Sequence, residues 1–504
     1  MSTAVSAPRL WGYPVVLPNV RDPRLHLAAV IISIHILGQT ALGFRVTVPQ
    51  ILSAILASAI LEIAITFQRK RQLVWPASAM LTGSGVALIF RAIGTERGDH
   101  WGFQDWYLFA LVAAVSLATK YTLIHRGSQL FNPSNVGLVA AFLLLGSQKV
   151  EPLDFWWAPL SWAMIAAYSI ILIGGLIITT RLRLLSMAAA FWLALAAGLG
   201  LVAGTGHCMT AAWSVQPLCG ADFWQVVMTS PEVLIFLFFM ITDPKTTPVS
   251  AGSRVAFGLT LGFLCALLMA PQSDEFSTKV ALLGGLVLLT PVRAVFEGRP
   301  LWAGSPRRLF WRGVVIGAAA SVLGTTLVAT AAPGFGPSSP AVPLVGIEIE
   351  LAALPPVTVD PEVGSLNLEL NPSQVDLLAV TLAENLEIES QALRSADPSL
   401  LRSVDHGARL LALEDAIESG EVRKQRAVPS YRFDSLHLGV VWANGIQGGA
   451  SLGFEATGTV IEAIYDLDGT ELSKGSAPFA ATFVVSQPTG ERWMIVDVLL
   501  GGLP

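Results

Sequence analysis

Residues 185–203 read LSMAAAFWLALAAGLGLVA, nineteen residues without a charged side chain. At about 1.5 Å of rise per residue, a helix over this stretch is roughly as long as a bilayer's hydrocarbon layer is thick. A helix packed on a water-soluble core keeps a polar face, and this one has none. Hydrocarbon solvates apolar side chains all round, and a helix satisfies its own backbone groups there, so the stretch predicts a membrane span.

Similar runs recur on both sides of it. They predict spans at 27–44, 49–67, 74–91, 106–124, 134–148 and 156–178, then 185–203, 226–241, 252–270, 277–296 and 313–331. The expectation is a polytopic α-helical membrane protein of about 11 helices, followed by a soluble C-terminal α+β domain. The spans at 134–148 and 226–241 are short; each either starts outside the hydrocarbon or is a half-helix. Composition agrees. Apolar residues make up 53% and charged residues 13% of the chain, against about 25% charged in an ordinary soluble protein, and mean hydropathy is +0.61.

Basic residues form no cluster suited to nucleic acid. They alternate between connections instead. Arg69–Arg71, Lys120 with Arg126, Arg181 with Arg183, Lys245 with Arg254, and Arg293 with Arg299, Arg307, Arg308 and Arg312 form the rich set; Arg45, Arg91 with Arg97, Lys149 and Lys279 form the sparse one. The positive-inside rule places the rich set and segment 1–26 in the cytoplasm, so an odd number of crossings puts the C-terminal domain outside. The opening residues lack a cleavable signal pattern, so the first span is expected to act as the uncleaved targeting signal. Three cysteines exclude a disulfide-rich scaffold and a four-thiolate metal site. Cys208 and Cys219 share an outward loop and are either a disulfide or two free thiols.

Glu62 lies within a span, where a charge is costly. It either serves an ion path, binding a cation or proton, or reaches back to Arg69 or Lys70. His35, in the first span, either titrates or hydrogen-bonds between helices. Two polar breaks stand out. In Phe131-Asn132-Pro133-Ser134-Asn135-Val136-Gly137, Asn132 is a cap and Pro133 suits a first helical turn, which leaves Ser134 and Asn135 near the positive helix end, where an anionic group can bind. In Ile241-Thr242-Asp243-Pro244-Lys245-Thr246-Thr247-Pro248 the prolines forbid a continuous helix, and the elbow either binds a ligand or ends a span. Pro76 to Gly85, with Ser78, Thr82, Gly83 and Ser84, is rich in small residues that permit close helix packing.

FNPSNVG at 131–137 and FFMITDPKTTP at 238–248, with Arg254 and Phe257-Gly258, resemble motifs of the RnfD/NqrB-like family, the membrane components of Rnf-type electron-transport complexes and of sodium-pumping NADH:quinone reductases. The pattern is more similar still to UnbU-like membrane proteins of enediyne biosynthetic clusters, and it covers roughly residues 25–300. The resemblance implies a bundle with internal repeats in a bacterial cell membrane, close to electron or ion transfer and to other membrane or redox subunits. It implies that Asn132, Pro133, Thr242, Asp243 and Pro244 shape the helix breaks around a cofactor. The Ser-Gly-Ala-Thr motif that carries covalent FMN in those families has no counterpart here. Thr210 and Thr229 are hydroxyls in the corresponding region, so FMN or quinone, where present, is expected to be held noncovalently. No catalytic acid or base is implied. A small-solute or ion transporter and a non-catalytic assembly protein of a biosynthetic cluster are the competing readings.

Beyond the membrane body (27–331), residues 332–346 read as a linker and 347–504 as the α+β domain. Asn371-Pro372 and Asp397-Pro398 open helices reaching about 395 and 420, and strands are expected at 431–441, 453–466, 477–487 and 492–499. Helices before an antiparallel sheet resemble cone-like SnoaL-type and nuclear-transport-factor domains, and the soluble domain of chloroplast-division ARC-type proteins. Phe433, Trp442, Phe454, Tyr465 and Trp493 either line a small-molecule pocket or form the core. His406 and His437 stand too far from other ligand types to nominate a metal site.

Overall fold

The structure is a computed structural model, and it describes residues 9–10, 12–19, 22–95, 98–125, 128–147, 149–152, 162–211, 218–295, 324, 326–331, 354–366, 370–441, 451–487 and 492–500. The chain divides into two compact units. The first holds Met1–His207, Gly220–Gln272 and Phe276–Ala332, and the second Cys208–Cys219, Ser273–Glu275 and Pro333–Pro504.

The helices of the first unit are α1 (Pro23–Leu37, continued by a π turn over Gly38–Leu42), α2 (Val48–Lys70), α3 (Ala77–Ile89), α4 (Trp106–Thr122), α5 (Pro133–Leu145), α6 (Trp162–Arg181) and α7 (Leu185–Ala203). They continue with α8 (Gly220–Thr229), α9 (Pro231–Ile235, followed by a π turn over Phe236–Met240), α10 (Ala251–Met269) and α11 (Glu275–Leu289). Among the described residues, five helices are long and apolar enough to cross a membrane, and a sixth if a bent pair counts as one. Large apolar side chains such as Ile60, Leu144 and Leu193 face outward on the helices of this unit, an arrangement that lipid accommodates and water does not.

The span expected at 226–241 is not one helix. Ser230 caps the second half through the Val233 amide, Pro231 takes its first turn, and the two halves bend by 42°. The spans expected at 74–91 and 134–148 are 13-residue helices, and the first closes in a short strand, Phe90–Ala92, paired with Val150–Pro152. Most of the span at 313–331, the start of the one at 156–178, and the linker 332–346 lie outside the described residues.

Glycine permits a close crossing of α10 on α7. A Cβ at Gly262 of α10 would lie 2.5 Å from the Phe191 carbonyl oxygen of α7, so the two backbones touch. Small residues are how lipid-embedded helices gain dispersion contact without a hydrophobic driving force between them. Gly262→Val is therefore expected to lower the thermal stability of detergent-solubilised protein by several degrees. Retention of the wild-type melting temperature would mean the helices can separate without loss.

In the second unit, Cys208 and Cys219 face each other across a two-residue antiparallel pairing and are joined by a disulfide. The main part is α+β: α12 (Pro372–Ser395), α13 (Pro398–Leu401) and α14 (Gly407–Arg423), with strands β1 (Val357–Val359), β2 (Gln425–Val441), β3 (Ser451–Asp466), β4 (Glu471–Ser486) and β5 (Met494–Leu500) in sheet order 1-2-3-4-5. The Asn371/Gln374 capping box starts α12 as the sequence suggests. The helix expected from Asp397 to 420 is instead a single turn and a second helix begun at Gly407, whose φ of +61° suits glycine. Among the described strands of this sheet, only β1 runs parallel to its neighbour; its β-branched Val357-Thr358-Val359 is shorter than the run of about four residues that reads as a strand in sequence. Phe433, Phe454 and Trp493 join Leu378, Leu382 and Phe483 in one core, and Tyr465 packs in a second with Leu401 and Leu410. Trp442 lies outside the described residues.

Candidate functional site

The two polar breaks meet in space. Asn132 accepts from the Asn135 amide as the cap of α5, and its Nδ2 donates to the Met240 carbonyl at 3.0 Å. Asn135 donates to the Leu283 carbonyl of α11 at 2.9 Å. Asn132, Pro133 and Asn135 are buried, while Ser134 is partly exposed and donates to Asn132 Oδ1. In the elbow, Thr242 donates to the Phe238 carbonyl at 2.5 Å, and Asp243 accepts from Gln129 Nε2 at 2.6 Å and from the Lys245 amide at 3.0 Å. The π turn ahead of the elbow gives the chain an extra residue there, a distortion often found at functional sites.

Between these breaks lies a cavity of about 470 Å³. Asn132, Pro133, Ser134, Thr242 and Asp243 line it, as do Ser78 and Gly85 of α3, Gln129, Lys245 and the start of α1. Asp22 caps α1 and holds the Arg24 guanidinium at 2.5–3.0 Å, so the charged lining consists of the Asp22–Arg24 pair with Asp243 and Lys245. Leu27, Ile31, Leu81, Ile178, Phe238 and Phe239 make the rest apolar. Sequence reasoning missed Asp22, Arg24 and Gln129. An acid-capped helix start at Asp22-Pro23 was legible; its position beside the elbow was not.

Thr210 and Thr229 do not line this cavity. Thr210 donates to the Ser273 carbonyl, and Thr229 donates back to the Gln225 carbonyl within α8. His35 lies 3.5 Å from Ser84 Oγ of α3, an interhelix contact.

Glu62 has a different partner from those expected. Its carboxylate accepts from Lys120 Nζ of α4 at 3.0 and 3.1 Å and from the Tyr121 hydroxyl at 2.6 Å, and Lys120 also reaches the cavity-lining Ser78 at 3.3 Å. A second buried pair, Lys279–Glu232 at 3.4 Å, borders a small cavity of about 40 Å³. That cavity shares Leu88, Ile89, Ile235 and Met240 with the large one. Among the described residues, no cluster of His, Cys, Asp and Glu is placed to hold a metal ion.

Fold and site together define a helical unit with membrane-length helices, built around broken helices and an amphiphilic cavity. No model of a known family and no curated protein matches the chain.

Proposed function

We propose that this chain is a membrane subunit of an electron-transfer or ion-coupled redox system, and that its cavity holds a flavin such as FMN, or a quinone, without a covalent bond. In this reading the chain crosses the bacterial cell membrane about 11 times, with its N-terminus in the cytoplasm and the C-terminal domain outside, beside other membrane or redox subunits.

One observation carries the reading: both polar breaks line a single cavity of about 470 Å³ whose charged residues are Arg24 and Lys245 with the carboxylates Asp22 and Asp243, and whose remaining lining is largely apolar. That volume lies within the usual range for small-molecule sites. Arg24 and Lys245 would attract a phosphate or a reduced quinone's oxyanion, and Asn132, Ser134 and Gln129 offer neutral hydrogen bonds. Phe238 and Phe239 provide surface for a flat ring. The chain's own residues orient such a group and exclude water from it.

The shared walls of the two cavities support a second reading, passage of a small solute or ion along the seam between α3 and the α9 half-helix.

Protein solubilised in mild detergent is expected to carry the visible absorbance of a bound flavin, or an extractable quinone. Gly85→Leu fills the cavity beside Ser134, 3.5 Å from the added Cβ, and is expected to release that cofactor from a folded protein. Colourless, quinone-free protein that moves solute in liposomes would reject the redox reading in favour of the second.

A further inference from the structure

The C-terminal domain buries an acidic pair that the proposed function leaves unused. Glu389 of α12 is 1% exposed and Asp405, in the turn before α14, is 0% exposed. Arg409 of α14 grips Glu389 in a two-pronged pair, Nε at 3.0 Å and a terminal nitrogen at 2.5 Å. Asp405 shares neither prong: as a carboxylate, both its oxygens are buried without a donor among the described residues. Glu389 lies within hydrogen-bonding reach, and it too is an acceptor when ionised. A proton on Asp405 converts this acceptor–acceptor contact into an O–H···O⁻ hydrogen bond.

The surroundings favour that proton. Burial, then the Glu389 charge and the bond to it, push the Asp405 carboxyl up to about 10, with Arg409 opposing. The other groups facing the cluster are Tyr431 of β2, itself raised by burial, and Glu462 of β3 beyond it. The Arg402–Glu414 pair on the same turn is exposed at the arginine, and β5 contributes the backbone of Ile495.

That backbone is what the cluster holds. The Ile495 amide donates to the Val404 carbonyl at 2.9 Å, and the His406 amide donates to the Ile495 carbonyl at 3.0 Å. Asp405 sits between the two bonds, in a bridge with Ile495.

We propose that one proton shared between Asp405 and Glu389 latches the turn before α14 onto strand β5, so that the C-terminal domain tightens in acid and loosens as its surroundings become alkaline. The sign follows from linkage. The folded carboxyl binds its proton more tightly than the unfolded one, so stability is fully present below the ordinary carboxyl range and falls as pH rises toward the folded value.

Hydrogen exchange of the full chain in detergent, corrected for intrinsic pH effects, tests this on peptides covering 404–411 and 494–500. Wild-type protection is expected to fall about tenfold per pH unit between roughly pH 6 and 9, one proton's worth. Asp405→Asn, which donates permanently, should show protection independent of pH. Glu389→Gln removes the neighbouring charge and frees Arg409 for Asp405, so its pH-dependent zone should move toward acid. A wild-type protein without pH dependence, or an Asp405→Asn protein that keeps the wild-type slope, overturns the proposal. Should Asp405→Asn fail to fold, the wild-type slope and the Glu389→Gln shift decide alone.

Discussion

Arg409→Met is expected to cost the C-terminal domain about 3–5 kcal/mol at pH 8, the usual penalty for leaving a buried charge without its partner. Glu389 is 1% exposed and the Arg409 side chain 15%, so solvent offers little relief once the guanidinium is gone. Denaturant melts of the full chain at pH 8 would show the loss. Replacing both partners, as in Glu389→Gln with Arg409→Met, should cost less than Arg409→Met alone. A single variant within about 1 kcal/mol of wild type at pH 8 would show that the pair is dispensable.

The second large effect is expected inside the membrane unit. Lys120→Met leaves the Glu62 carboxylate facing Tyr121, with side-chain exposure of only 10%. Loss of about 3–5 kcal/mol is again the expectation, read as early aggregation on heating in detergent. Glu62→Leu combined with Lys120→Met removes both charges and should recover much of it. Because the pair is buried, raising salt should change little, unlike an exposed bridge. If the double variant were no better than the single, packing by the lysine stem rather than charge pairing would account for the loss.

These two predictions rest on partners that a linear reading could not supply. Arg69 and Lys70, about two turns along the same helix face, were the basic residues the sequence offered Glu62. The observed partner is 58 residues away on another helix. Helix α4 packs against α2, and only that packing decides which of several lysines meets the carboxylate. The break at Ser230-Pro231 is a different case. The short run at 226–241 left a half-helix open in the sequence, and the cap-then-proline signal at Ser230-Pro231, the same as at Asn132-Pro133, marks where the half-helix starts.

What the sequence determined by itself is local: where apolar helices run, five of them of membrane length among the described residues, where Asn132-Pro133 and Thr242-Asp243-Pro244 interrupt them, and where α12 begins. Hydropathy, caps and proline act within a few residues, so a single chain displays them. The tertiary structure alone decided that those two breaks enclose one cavity, that Thr210 and Thr229 stay out of it, and that Asp405 meets Glu389. Such meetings depend on which helix faces touch, and a residue's nearest neighbours in space are set by packing across the whole unit.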